Sequence, residues 1–310
     1  MFGKAKQIFI KHKVLSFLAL SIFIIVGVYV FLLPSSPSEP FAEQRLELKE
    51  NDCLNNVYFI FLNGLGSAYN DDVYVSMGFD RIRDSLSPLG YSFHDARFLL
   101  YSYAGGKVKD GQWHPKKYKV QDTGQPLHLS IEKLGALFEE FLLAHPEASF
   151  IFMGHSLGGR IALDFVSTTS PQNKEKIIGV ITLNSPLLGA GRKVPNFIMA
   201  ILGDFDNIFE SPVVKELLWE SQYQQELANL RRETIKELQN NGIRVATFST
   251  YQDYFVNPLT ACILDEKHQP ISEGFIIDLG KPDFNDLIGH MVILENPEII
   301  KYILSLCRLN

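Results

Sequence analysis

Short, continuous apolar runs closed by glycine, proline or polar residues punctuate the chain beyond residue 56: Val57–Leu62, Arg97–Tyr103, Ser149–Met153, Ile177–Leu183 and Ile243–Phe248, with Ile276–Ile277 as the start of a further one. Runs of this length that do not alternate with polar residues predict strands buried on both faces, as in a parallel sheet. Between them the apolar positions take helical spacing. Phe79, Ile82 and Leu86 share a face over Met77–Leu89, where Pro88 and Gly90 mark the end. Leu129, Ile131, Leu134, Leu137, Phe138, Phe141 and Leu142 do so over Leu127–Leu143, before His145-Pro146. Arg160–Val166 and Pro297–Leu304 read as further helices. Alternating strands and helices predict an α/β fold with a mostly parallel central sheet flanked by helices, in one domain over residues 51–310.

Two stretches interrupt that rhythm. Pro186 to Gly242 is too long for a simple crossover and holds an apolar segment, Phe197–Phe209, and a charged helix, Val213–Leu238. It predicts a helical cap or lid at about 187–241. Phe197, Ile201, Phe205 and Ile208 fall near one helical face, which either lines an acyl pocket or packs on the domain. Gly106–Gln125, with Trp113, His114, Tyr118 and Asp122, carries no interpretable motif, and a surface loop is its expectation.

The N-terminus follows a different pattern. Val14 to Leu33 contains no charge and is long enough to span the hydrocarbon layer. Lys4, Lys6, Lys11 and Lys13 precede it, and Glu39 and Glu43 are the first charges after it. The expectation is a basic cytoplasmic tail over 1–13, a single transmembrane helix over 14–33 and a Pro/Ser-rich linker over 34–50, with the following domain extracytoplasmic. A cleaved signal peptide, leaving a secreted domain, is the competing reading; the length of the run favours the anchor.

Composition narrows the choice. A 310-residue chain with 46% hydrophobic residues can bury a large core. Its net charge of −6, without clustered Lys and Arg, argues against a nucleic-acid partner. Cys53, Cys262 and Cys307 have no C-x-x-C spacing, so neither a structural zinc site nor a disulfide-dense scaffold is supported. One bridge and buried free thiols both stay open. Nothing in the sequence indicates the oligomeric state.

The strongest chemical signal is Gly154-His155-Ser156-Leu157-Gly158-Gly159, directly after a predicted strand and before a predicted helix. A G-x-S-x-G at such a junction is a nucleophile elbow, in which a strained turn projects the serine. A serine hydroxyl needs an imidazole to take its proton and an acid to orient that imidazole, both contributed by the ends of later strands. Asp253, after the strand that ends near Thr250, is the acid candidate; Asp265, Asp278, Asp283 and Asp286 are rivals. His290, in a predicted loop ahead of the last helix, is the base candidate. His268, the other histidine beyond Asp253, lies in a polar turn. A developing oxyanion needs two backbone donors: Leu157 follows the nucleophile, and Leu65 stands in the Asn63-Gly64-Leu65-Gly66 turn after the first central strand.

Taken together these residues resemble the α/β-hydrolase superfamily, its lipase and carboxylesterase branch most of all, over about Val57 to Leu304. Asn184-Ser185-Pro186-Leu187-Leu188-Gly189 is similar to the segment leaving the next strand in lipase-like and GPI-inositol-deacylase-like esterases. Asn63 departs from the pattern, because many lipases carry a histidine there. The resemblance implies a membrane-anchored serine hydrolase of carboxylic esters, working through Ser156, His290 and Asp253 with no metal or organic cofactor. A small-molecule or lipid ester is the implied partner, and the candidate lid and tether favour apolar acyl groups. Acyl transfer by the same triad and a noncatalytic binding module on this fold stay open as alternatives.

Overall fold

The apolar runs condense into one sheet in the computed structural model, which describes residues 56–70, 72–190, 208, 210–253, 255–279 and 285–306. The strands in chain order are β1 (Val57–Leu62), β2 (Phe98–Leu100), β3 (Gly106–Lys109), β4 (Gln112–Pro115), β5 (Ser149–His155), β6 (Ile177–Leu183), β7 (Arg244–Thr250) and β8 (Ile276–Ile277). Among the described residues six of them pair in the order β2-β1-β5-β6-β7-β8, each neighbour parallel to the next. A parallel sheet is covered on both faces by its crossovers, which is why consecutive residues of one strand are all apolar. Phe59 to Leu62 on β1 and Phe150 to Met153 on β5 are at most 1% exposed.

The α-helices of five or more residues among the described residues are α1 (Val73–Met77), α2 (Asp80–Ser85), α3 (Leu127–Ala144), α4 (Leu157–Thr168), α5 (Pro212–Glu220), α6 (Gln224–Asn240), α7 (Asn285–Val292) and α8 (Pro297–Leu306). Helix α3 buries Leu134, Leu137, Phe138 and Phe141, while Leu129 is turned outward. Helix α4 is nearly surrounded, with every residue from Leu157 to Val166 buried.

Four expectations need correction. The single helix expected over Met77–Leu89 is broken into α1, α2 and a 3-10 turn at Ser87–Leu89, because Gly78 and Phe79 both take left-handed backbone. Buried Arg83 makes the break tolerable by donating to the carbonyls of Tyr74, Gly78 and Phe93 at 2.9–3.0 Å. The strand expected over Arg97–Tyr103 pairs only at Phe98–Leu100. The charged segment Val213–Leu238 forms two helices, α5 and α6, joined by a 3-10 turn at Ser221–Tyr223.

The expected surface loop over Gly106–Gln125 is ordered structure. β3 and β4 form an antiparallel hairpin, the Trp113 indole N–H donates to Leu100 O at 2.9 Å, and Tyr118 is buried. A 3-10 helix at Val120–Gly124 follows.

The predicted membrane span at 14–33, its linker, Cys53, Cys307, and Phe197, Ile201 and Phe205 of the cap lie outside the described residues. No described helix is long and apolar enough to cross a membrane. Cys262 is a buried thiol, and burial pushes its pKa up to about 11.

An ionic cluster joins α5 and α6 to α4. Asp164 accepts from Arg160 Nε at 2.7 Å on one oxygen and faces Arg231 Nη1 at 2.5 Å on the other, while Arg160 reaches both oxygens of Glu220 at 2.6 and 2.8 Å. Burial raises the Asp164 carboxyl, but Arg160 and Arg231 outweigh that and hold it below the usual carboxylate range. Removing one member of a buried cluster leaves the others desolvated and unpaired. Asp164→Ala is therefore expected to lower stability by about 3–5 kcal/mol in urea unfolding, whereas Lys301→Ala, in an exposed pair with Glu298, should cost less than about 1 kcal/mol. Equal midpoints for the two variants would refute the clamp.

Candidate active site

Ser156 sits between β5 and α4 with φ 52° and ψ −127°, a strained backbone for a side-chain-bearing residue. Its N–H still extends the sheet ladder, donating to Leu183 O at 2.8 Å. The turn closes only because the first residues of α4 pass against the end of β1: a Cβ on Gly158 would lie 2.2 Å from Leu62 O. On the far side the Asn63–Gly66 turn abuts Ser156, where a Cβ on Gly64 would lie 2.6 Å from Ser156 Cβ. The predicted elbow and the predicted oxyanion turn are thus in contact.

Asp253 and His290 meet although 37 residues separate them. Asp253 Oδ2 lies 2.7 Å from His290 Nδ1, and its Oδ1 accepts the N–H groups of Phe255 and Val256 at 2.8 and 3.0 Å. Both carboxylate oxygens are thereby engaged in a site with 0% exposure. An ionised carboxylate only accepts, so Nδ1 carries the proton of this bond and Nε2 is the basic nitrogen of the neutral ring. His290 is not in a loop, as expected from sequence, but in the last turn of helix α7. Nor is Asp253 directly beside the elbow: β6 separates its strand from β5. Among the described residues Ser156 Oγ makes no hydrogen bond.

Two residues to which sequence reasoning gave no role hold the histidine segment from beneath. His155 Nε2 lies 2.7 Å from the His290 carbonyl, and the two imidazole centroids are 4.6 Å apart. A carbonyl can only accept, so this nitrogen bears the hydrogen. Burial, together with the neighbouring His290, lowers the His155 pKa to about 3, leaving it neutral. Asn184, fully buried with φ 47°, accepts from Thr250 N at 2.8 Å and donates toward the carbonyls of Gly289 and His290, each at 3.2 Å. It joins the ends of β6 and β7 to α7. The available signal was the polar Asn184 directly after the mostly apolar strand Ile177–Leu183.

The rival residues stand elsewhere. Asp265 closes a turn through the N–H groups of Lys267 and Gln269, His268 is exposed in that turn, and Asp278 accepts from Gln252. Asp283 and the Asp286 side chain lie outside the described residues. Of the predicted oxyanion donors, Leu157 is the first residue of α4, where an N–H has no intrahelical acceptor. In the turn after β1, Gly66 N–H is taken by Thr123 Oγ1 at 3.0 Å and Ser67 N–H by Gly64 O at 3.3 Å, while Leu65 N–H has no acceptor among the described residues. No group of three or more metal-ligating side chains occurs among the described residues.

Comparison with known proteins bears on this geometry. Residues 78–194, which contain the elbow, match the family model of class 3 lipases. Among solved structures, phospholipase PlaB from Legionella pneumophila in complex with thio-NAD is similar with a TM-score of 0.51 and 13% identity, over 81% of this chain and 58% of that one. The present chain thus spans little more than half the length of PlaB. A membrane phospholipase A described as a bacterial virulence factor gives 0.44 at 13% identity, over 82% of this chain and 79% of that one. The 2-hydroxy-6-oxo-6-phenylhexa-2,4-dienoate hydrolase from Rhodococcus sp. strain RHA1 gives 0.44 at 15% identity, over 82% and 91%. No curated protein sequence matches the chain. The PlaB likeness shows the α/β-hydrolase fold, and the class 3 lipase match supports a carboxylic ester hydrolase.

His155 also carries a pH consequence. The unfolded chain binds a proton at this imidazole below about pH 6.5, whereas the folded chain does not until about pH 3, so acid favours unfolding. The slope is roughly 1.4 kcal/mol per pH unit from this residue. In denaturant titrations, His155→Gln should lose about 2 kcal/mol less stability than the parent between pH 6.5 and 4.5. Parallel pH profiles would contradict a buried neutral His155.

Proposed function

We propose that the chain is a serine hydrolase that cleaves carboxylic esters, lipid-like or otherwise apolar in their acyl part, through Ser156, His290 and Asp253. The observation that carries the reading is the Asp253–His290 bond, with the His290 carbonyl held by the residue adjacent to Ser156. In the first half-reaction Ser156 Oγ attacks the ester carbonyl carbon while its proton passes to His290 Nε2. The carbonyl oxygen gains the charge and is met by the Leu157 and Leu65 N–H groups. The tetrahedral adduct collapses, its carbon–oxygen bond breaks, and the departing alcohol takes the proton from His290. Water then repeats the sequence on the acyl-enzyme, with His290 as base, and releases the acid and the free serine. Asp253 keeps the proton on Nδ1 and stabilises the ring while it is charged.

The apolar acyl preference is supported by the class 3 lipase match and by the likeness to phospholipase PlaB. The uncharged run over 14–33 with its basic flank supports a membrane tether, which would keep an extracytoplasmic domain near a lipid substrate.

Ser156→Ala is expected to abolish hydrolysis of p-nitrophenyl esters and labelling by a fluorophosphonate while leaving the circular dichroism unchanged. Asp253→Asn should lower kcat by roughly 10³ to 10⁴ through loss of the correct tautomer. Full activity in Ser156→Ala would end the proposal. An ester series of graded chain length, read as kcat/KM with and without detergent, reports the acyl preference; a uniform profile would remove the apolar specificity.

A further inference from the structure

The Asn63–Ser67 turn is fastened by hydroxyl groups that the catalytic reading leaves without a task. Ser67 Oγ donates to Gly64 O at 2.8 Å, and Tyr118 Oη lies 3.1 Å from Ser67 Oγ. The serine has one hydroxyl hydrogen and gives it to Gly64 O, so Tyr118 is the donor of the second bond. On the other side, Thr123 Oγ1 accepts Gly66 N–H at 3.0 Å and donates its own hydrogen to Val120 O at 2.6 Å. Thr123 is 0% exposed and Tyr118 1%, so water does not replace these partners.

The consequence follows from peptide planarity. Gly64 C=O and Leu65 N–H belong to one trans peptide unit and point in opposite directions. A carbonyl drawn toward Ser67 therefore turns the Leu65 N–H out of the turn. The next unit, Leu65 C=O with Gly66 N–H, is fixed in the same way by Thr123. Two successive peptide planes around Leu65 are held by two side-chain hydroxyls, beside Gly64, which touches the nucleophile.

We infer that Ser67 and Thr123 are positioning residues that aim the Leu65 N–H at the oxyanion, with Tyr118 holding Ser67 in place. The inference rests on the ester-hydrolase reading above and extends it to residues 118–123, which carry no motif. A preset donor acts mainly on the charge that develops in the transition state, so its misdirection lowers kcat and leaves ground-state binding largely alone.

The test compares Ser67→Ala, Thr123→Val and their combination with the hydroxyl-retaining Ser67→Thr and Thr123→Ser, in the full chain. Each single deletion is expected to lower kcat about 10-fold to 100-fold, below the effect of deleting an oxyanion donor outright. KM should stay within about twofold, and inhibition by an alkyl boronic acid, which forms a tetrahedral anionic adduct, should weaken in step with kcat. The hydroxyl-retaining variants should recover most of the loss, and Tyr118→Phe should shift kcat in the same direction by a smaller factor. Unchanged kcat in the double variant, a loss confined to KM, or no recovery in Thr123→Ser would overturn the inference even while Ser156→Ala is inactive. A parent chain that neither hydrolyses esters nor reacts with the fluorophosphonate overturns the hydrolase reading, and this inference with it.

Discussion

The close passage of the first turn of α4 across the end of β1 is the constraint on which the site depends. Only a residue without a side chain fits at Gly158, 2.2 Å from Leu62 O by the measure of a hypothetical Cβ. That contact forces Ser156 into left-handed backbone, at an expected local cost of about 1–3 kcal/mol, and the parallel ladders to β1 and β6 hold it there. The same passage brings the turn after β1 against the serine and leaves the first N–H of α4 without a helical acceptor. Ser156 and the Leu65 and Leu157 N–H groups are therefore positioned by one packing event.

Asp253 and His290 come from the other half of the sheet and need a separate tether. Polar residues that do not serve the core stand at the end of β7 and directly after β6. Asn184 takes a ladder position by accepting Thr250 N–H and uses its amide hydrogens on the carbonyls of α7. His155 adds a bond to the same His290 carbonyl. Unpaired, each of these buried polar groups would cost roughly 1–3 kcal/mol, so the cheapest arrangement of the strand ends is also the one that brings His290 next to the elbow. Stability and geometry are satisfied by the same bonds.

What was legible in the sequence was local. The parallel strands showed as uninterrupted apolar runs, and the elbow showed as a motif because its glycines, strand and helix are consecutive. The order Ser156, Asp253, His290 could be read, and the Asp253–His290 contact agrees with it. The hairpin of β3 and β4 was not legible, because Gly106–Gln125 makes its decisive contacts with distant partners: Trp113 with Leu100, Tyr118 with Ser67 and Thr123 with Gly66. Helix α7 was missed for a related reason, since its histidine is fixed by carbonyl contacts reaching back more than a hundred residues. Gly78 and Phe79 broke a helix whose apolar spacing was otherwise regular; the compensation by Arg83 is tertiary and leaves no periodic trace.

The cluster of Arg160, Asp164, Arg231 and Glu220 holds α5 and α6 by ions where apolar packing would cost less desolvation. Two cations and two anions balance in charge, and each carboxylate meets a guanidinium in directed geometry. Apolar side chains tolerate sliding by an ångström or more, whereas a forked bond between Arg160 and Glu220 fixes both distance and angle. Arg160 stands four residues after Ser156 on the helix that begins at the elbow. Helices α5 and α6 are consequently registered to the element that begins at Ser156, and Glu216 of α5 also accepts Leu127 N–H just beyond the Val120–Gly124 turn. Directional bonds at these two points define where α5 and α6 can stand relative to Ser156 and to the Thr123 segment, which a purely hydrophobic contact would leave free to drift.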